Sequence, residues 1–205
     1  MMGIARRTLL CRPCSEPLRA FVAIDLSGPE ADAFLDLQER MAVGRAVPVS
    51  NLHLTLAFLD EQPEALLEAL HEELEDLRYP AFDLAFKGVD LFGGVRTRAL
   101  AVLAEPDPVL RDLQSAVKRC LHRVGIASAS RRWRPHVTLS RLKDSGQSPE
   151  RLQAAISRGA TAQIGPLDVT QFSLFRSTLT PSGAVHEALC DYPLLSFENE
   201  GFEDG

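Results

Sequence analysis

Two stretches of the chain share one pattern that decides the fold, LHLTLAFL at residues 52–59 and PHVTLSRL at residues 135–142. Both contain His-x-Thr-Leu: His and Thr stand two positions apart, with apolar residues between and after them. That alternation is typical of a strand with one face in the core and the other outside it. The chain therefore contains an internal repeat carried by two strands.

The repeated polar residues indicate phosphate-ester chemistry. If the strands face one another, His53 with Thr55 and His136 with Thr138 bring two imidazoles and two hydroxyls together. A neutral imidazole can accept a proton from water while a protonated one gives a proton to the leaving oxygen, because the unperturbed pKa of histidine is about 6.5. The hydroxyls would donate to the phosphoryl oxygens. We expect catalysis without metal or cofactor, and a bell-shaped rate profile around neutral pH.

Charge is segregated along the chain, although the net charge is −6. Residues 60–76 hold eight acids and no Lys or Arg, whereas residues 119–143 hold seven Lys and Arg and no acid. A local positive field attracts an anion whatever the total charge. Because the second motif lies inside the basic segment, a functional site is favoured over two ordinary strands with His and Thr on a wet face.

Composition is typical of a soluble globular chain, with 45% hydrophobic and 24% charged residues among 205. No run approaches the roughly 18 consecutive apolar residues of a membrane-spanning helix. We expect no secretory signal, no membrane association and a cytoplasmic location, where the four cysteines are free thiols. Cys11 and Cys14 form one Cys-x-x-Cys pair, for which two incidental cysteines are favoured over a zinc site.

Hydrophobic periodicity predicts interleaved strands and helices. Helices are expected after Pro29, Pro63, Pro108 and Pro149. Strands are expected at residues 18–26, 52–59, 82–91, 99–104, 135–142, 167–175 and 185–189. Without a run of βαβ units or a glycine-rich phosphate loop, an α+β fold with antiparallel pairing is favoured. Residues 1–17 are expected to be a flexible extension, 18–195 the folded domain, and 196–205 an acidic tail.

Further residues agree with one known family: RAFVAI at 19–24, Asn51-Leu52, Arg134-Pro135, Ser177, Gly183 and YPL at 192–194. With these, the chain resembles the two-histidine phosphoesterase superfamily, and specifically the RNA 2′,3′-cyclic phosphodiesterases, historically called 2′-5′ RNA ligases. The resemblance implies a bilobal fold, with two pseudo-symmetric antiparallel sheets backed by helices and a central groove that holds both motifs.

The resemblance also implies roles, with His53 as proton donor and His136 as proton acceptor. Substrate binding is expected from Thr55, Thr138, Arg141, Phe58 and Arg134. Strict alternation puts Phe58 and Arg141 on the faces opposite their histidines, so a bulge or strand-end twist redirects them, or they are packing and surface residues. His186 stands where the family often has tyrosine, and an exposed strand residue is favoured over one that lines the groove.

The reaction expected from the resemblance is hydrolysis of a 2′,3′-cyclic phosphate, at an RNA end or in a small cyclic nucleotide, to a 2′-phosphomonoester. The reverse reaction with a 5′-hydroxyl would join RNA through a 2′-5′ bond. We expect a monomer. Two alternatives stay open: an RNA-end binding protein without efficient turnover, and a phosphodiesterase for another 2′-linked nucleotide, because the motifs recognise the phosphate and not the base.

Overall fold

The structure is a computed structural model, and it describes residues 16–93, 97–127, 133–142, 148–181 and 183–196. The expected extension and tail lie outside these residues, apart from 16–17 and 196. The Cys11 and Cys14 pair also lies outside them, as do Arg131, Arg132 and Lys143. Among the described residues, no helix has both the length and the apolar content needed to cross a membrane.

Strands and helices are interleaved along the described chain, with β4–β5 and β7–β8–β9 following one another directly. They are β1 (Leu18–Asp25), α1 (Ala31–Met41), β2 (Arg45–Ala46), a 3-10 turn (Val49–Asn51), β3 (His53–Gln62), α2 (Glu64–Glu75), β4 (Phe82–Gly93), β5 (Thr97–Ala104), α3 (Pro108–Arg123), β6 (His136–Arg141), α4 (Pro149–Gly159), β7 (Gln163–Val169), β8 (Gln171–Thr180) and β9 (Gly183–Pro193). One expectation is wrong: the strand at 167–175 is two strands that separate at Thr170. Both are extended and partly apolar, so periodicity could not reveal the break.

The described strands form one sheet in the order β7-β4-β5-β6-β3-β1-β8-β9, with β2 paired to β6. Every pair of these strands is antiparallel, which confirms the predicted pairing and the α+β class. The sheet has two halves of four strands, which meet where β6 pairs with β3. The two expected sheets are therefore halves joined edge to edge.

Helices α1 and α3 pack on one face of the sheet, each behind the motif strand of the opposite repeat. Helix α3 packs behind β3, and α1 packs behind β6 and β4, where the rings of Phe34 and Phe86 meet edge to face at 5.3 Å. Each helix thus supports the strand that carries the motif of the other repeat. Fully buried Leu54 and Val137 belong to the same core. Burial of this shared apolar layer holds both motif strands in a fixed relation.

Candidate active site

The two motifs meet at the junction of the halves. Leu54 pairs with Val137 in antiparallel register, and each is the middle residue of its His-x-Thr triplet. Antiparallel pairing centred on these residues sets each histidine against the threonine of the other motif. Because both middle side chains are fully buried, the two histidines and two threonines project from the opposite face of the sheet.

These four side chains line one groove of about 630 Å³. The groove brings together all the predicted site residues except Arg134. Its further lining includes Phe58, Arg141, Phe21, Phe92, Arg19, Ser177 and His186. The sequence stretches that repeat are therefore the two sides of one cavity.

A β-bulge three residues after each histidine redirects the two +5 residues into the groove. The register between β1 and β3 skips Leu56, and the register between β5 and β6 skips Leu139. After the skip, Phe58 and Arg141 return to the face of their histidines and line the groove. Of the explanations left open by the sequence, the structure shows a bulge, and shows it at the same place in both repeats.

A helix-borne glutamine holds each bulge. Gln114 of α3 donates from Nε2 to the carbonyl of Leu56 at 3.2 Å. Gln38 of α1 donates from Nε2 to the carbonyl of Leu139 at 2.9 Å, and also to that of Val47 at 3.0 Å. A bulge leaves backbone groups outside the regular ladder, and a buried carbonyl without a donor is costly. Gln114 supplies a donor to the first bulge, whereas in the second the carbonyl of Leu139 accepts from Gln38 and also from the backbone N–H of Val47 at 2.9 Å. The two glutamines match between the repeats as the histidines do.

We expect Gln114→Met to lower the free energy of unfolding by about 1–3 kcal/mol, the usual penalty for leaving a buried polar group without its partner. The side chain is 5% exposed, so water cannot replace the amide. Urea unfolding measures the change, with Gln153→Met on the exposed face of α4 as the matched control. Equal stability of the two variants would contradict the bulge-holding role.

Both catalytic candidates are oriented in the same way. His53 contacts the carbonyl of Asn51 through Nδ1 at 2.8 Å, and His136 contacts that of Arg134 through Nδ1 at 2.7 Å. A carbonyl only accepts, so Nδ1 carries the hydrogen in each ring. The Nε2 atoms are then unprotonated in the neutral rings and available for proton transfer.

Aromatic rings fix the two imidazoles from the side. Phe92 stacks on His136 with 3.9 Å between ring centroids, and the ring centroid of Phe21 lies 4.8 Å from that of His53.

Arg134 does not line the groove. Its guanidinium pairs with Asp90 at 2.6 Å and lies 4.6 Å above the ring of Phe92. Arg134 thus contacts the site in two ways. Its backbone carbonyl accepts from Nδ1 of His136, and its guanidinium lies over the ring of Phe92 that stacks on His136.

His186 corrects the expectation of an exposed strand residue. It is half-buried and lines the groove, with its ring edge-on to His53 at 5.2 Å and to Phe21 at 4.9 Å. The strand pattern of β9 could not show this, because the placement depends on the contact of β9 with the 3-10 turn before β3. The groove therefore contains a third imidazole.

The environment lowers the pKa of all three histidines. Burial is the main cause for each, bringing the pKa of His53 to about 4 and lowering the pKa of His136 and His186. The positive charge of Arg141 lowers each pKa further, and His186 does the same to His53. Burial thus favours the neutral form of these rings in the free protein, and the expectation of an unperturbed pKa is wrong for His53.

A sheet of two joined halves, each presenting a His-x-Thr motif to one groove, defines a two-histidine phosphoesterase. The sequence profile of the 2′-5′ RNA ligase superfamily matches residues 36–180. The chain belongs to that superfamily.

Individual relatives match over most of the chain. A protein of Archaeoglobus fulgidus is 29% identical over 178 residues, which cover 84% of this chain and 98% of the relative. A protein of Thermus thermophilus is 31% identical over 190 residues, covering 86% and 90%. Both are named RNA 2′,3′-cyclic phosphodiesterase. Escherichia coli LigT complexed with 3′-AMP has the same fold, with a TM-score of 0.70, 26% identity and coverage of 87% of this chain and 99% of LigT.

Proposed function

We propose that the protein hydrolyses 2′,3′-cyclic phosphate at RNA ends to a 2′-phosphomonoester. The observation that carries this is the pair of imidazoles in one groove, each held through Nδ1, beside two threonine hydroxyls. The names of the relatives support the same activity. Only RNA is the parent substrate, because the cyclic ester needs a 2′-oxygen.

The groove divides the proton transfers between the two motifs. His136 accepts a proton from water through Nε2 as the water oxygen bonds to phosphorus. His53, protonated, donates to the 3′-oxygen as its bond to phosphorus breaks, which leaves the phosphate on the 2′-oxygen. Thr55 and Thr138 donate to the non-bridging oxygens, and Arg141 balances their charge. With a 5′-hydroxyl in place of water as the nucleophile, the same groups form a 2′-5′ bond: His136 accepts the hydroxyl proton as the 5′-oxygen bonds to phosphorus, and His53 protonates the leaving 3′-oxygen.

The lowered pKa values determine the pH dependence. Catalysis needs one imidazole protonated and the other neutral, and the pKa of both His53 and His136 lies below 6.5 in the free protein. We therefore expect kcat/KM to peak at acid pH and fall above about 6.5. In the complex, the bound phosphate anion stabilises an imidazolium and raises the pKa of the histidines. The pH profile of kcat is therefore expected at higher pH than that of kcat/KM.

Arg141→Met checks the cause of this acid shift. Removing the guanidinium charge raises the pKa of the histidines, so the alkaline limb of kcat/KM moves to higher pH even though the rate falls. Initial rates across pH 4–9, taken in about half-unit steps, measure both limbs. A limb at the same pH in both proteins would contradict the electrostatic role of Arg141.

The activity is tested with a short RNA that ends in a 2′,3′-cyclic phosphate, with and without EDTA. We expect a 2′-phosphomonoester, which becomes sensitive to phosphatase, at equal rates in both arms. Binding without conversion would instead support an RNA-end binding protein. Conversion of only non-RNA 2′-linked nucleotides would support the other alternative. Metal independence, the monomeric state and the cytoplasmic location stay predictions.

A further inference from the structure

The groove contains an imidazole that takes no part in the proposed proton transfers. His186 on β9 lines the groove beside both motif histidines and both motif threonines. Its ring is half-buried and edge-on to two others, with its centroid 5.2 Å from that of His53 and 4.9 Å from that of Phe21. These contacts fix the ring, so it lies beside a phosphoryl group that binds at His53.

The third imidazole differs from the other two in the surroundings of Nδ1. In His53 and in His136, Nδ1 donates to a backbone carbonyl. In His186, Nδ1 is buried, and no group among the residues that the structure describes hydrogen-bonds it. Buried N–H groups without an acceptor are rarer in proteins than buried acceptors without a donor. The single hydrogen of the neutral ring therefore lies on Nε2, where water or a ligand in the groove can accept it.

The missing acceptor also keeps His186 neutral. A protonated imidazole carries a hydrogen on both nitrogens, so protonation would bury an N–H at Nδ1 without a partner. Burial and the positive charge of Arg141 lower the pKa of His186 as well. In His53 and His136, by contrast, the carbonyl at Nδ1 accepts in the neutral and in the charged state. His186 can therefore donate a hydrogen bond from Nε2 but does not carry a proton between substrate atoms.

The phosphoryl group of the proposed reaction can accept more hydrogen bonds than the two threonines supply. Each hydroxyl donates one hydrogen bond, whereas each non-bridging oxygen accepts more than one. Thr138, Arg141 and His186 line both the groove and a smaller cavity of about 160 Å³ beside it, so they border the same part of the groove. Resting on the proposed function, we propose that His186 is a further catalytic residue, which donates from Nε2 to a non-bridging oxygen as negative charge develops there.

Two variants separate the hydrogen-bond donor from the ring and from charge. His186→Phe keeps an aromatic ring against Phe21 but has no donor, whereas His186→Gln keeps an N–H donor and cannot be protonated. On RNA with a 2′,3′-cyclic phosphate end, we expect His186→Phe to lower kcat by about 10²-fold, the cost of losing one donor to a developing oxyanion. His186→Gln should stay near the wild-type rate. So should the matched control His122→Phe, at an exposed position on α3.

Calorimetry with adenosine 2′-monophosphate adds a measurement that needs no turnover. We expect His186→Phe to bind this nucleotide about tenfold more weakly, the effect of one lost hydrogen bond to a charged group, and His186→Gln to bind it as the wild type does. Wild-type kcat and affinity in His186→Phe, equal losses in His186→Gln and His186→Phe, or no binding by the wild type would overturn the inference. Failure of the proposed function gives a different result: no hydrolysis by the wild type, with the same order of affinities.

Discussion

Replacing either motif histidine by alanine is expected to lower kcat for cyclic phosphate hydrolysis by about 10²–10⁴-fold, the usual contribution of one positioned proton carrier. In the proposed displacement, His53 and His136 serve different proton transfers, so the loss of either ring removes one of the two transfers. Initial rates on RNA with a 2′,3′-cyclic phosphate end measure the change.

The fold is expected to survive both replacements, because the two side chains project into the groove while the neighbouring Leu54 and Val137 fill the core. His122→Ala, at an exposed position on α3, is the control and should retain the wild-type rate. Wild-type activity in either groove variant would refute the assignment of both histidines to proton transfer.

Removing one threonine hydroxyl is expected to lower kcat by about 10²-fold, near the cost of losing one donor to a developing oxyanion. Thr55→Val and Thr138→Val keep the size and β-branched shape of the side chain, so the strand is retained. The loss falls mainly on kcat, because charge on the non-bridging oxygens increases as the water bonds to phosphorus.

Thr178→Val on β8 is the matched control, because that side chain is exposed and does not line the groove. It should leave both kcat and KM at wild-type values. A Thr138→Val variant with raised KM and unchanged kcat would show that the hydroxyl binds ground state and transition state equally.

The repeat in the sequence was sufficient to predict the two strands and the common face of His53 with Thr55. Alternation settles that face because Leu54 must be buried. Alternation does not determine the face on which Phe58 or Arg141 lies, because a bulge shifts the alternation by one residue and the polarity of the sequence does not show where. Each bulge carbonyl accepts a hydrogen bond from a glutamine on a helix remote in sequence, and such a contact has no local signal.

Other groove residues depend on long-range packing and have no local signal. Phe92 lies next to the last residue of β4, and nothing in the sequence distinguishes it from a core aromatic, yet it stacks on His136. His186 on β9 contacts the ring of His53 on β3, and β9 also contacts the 3-10 turn before β3. The lowered pKa values follow from the same packing, so a sequence-based expectation of ordinary histidine pKa values was wrong.

The division of labour between His53 and His136 is tested most directly by changing the leaving group. In a 2′,3′-cyclic substrate with sulfur in place of the 3′-oxygen, the leaving thiolate needs no proton. We expect His53→Ala to lose far less activity on this substrate than on the oxygen ester, and His136→Ala to lose the same on both. Equal losses for His53→Ala on the two substrates, or rescue of His136→Ala instead, would contradict the assignment of donor and acceptor.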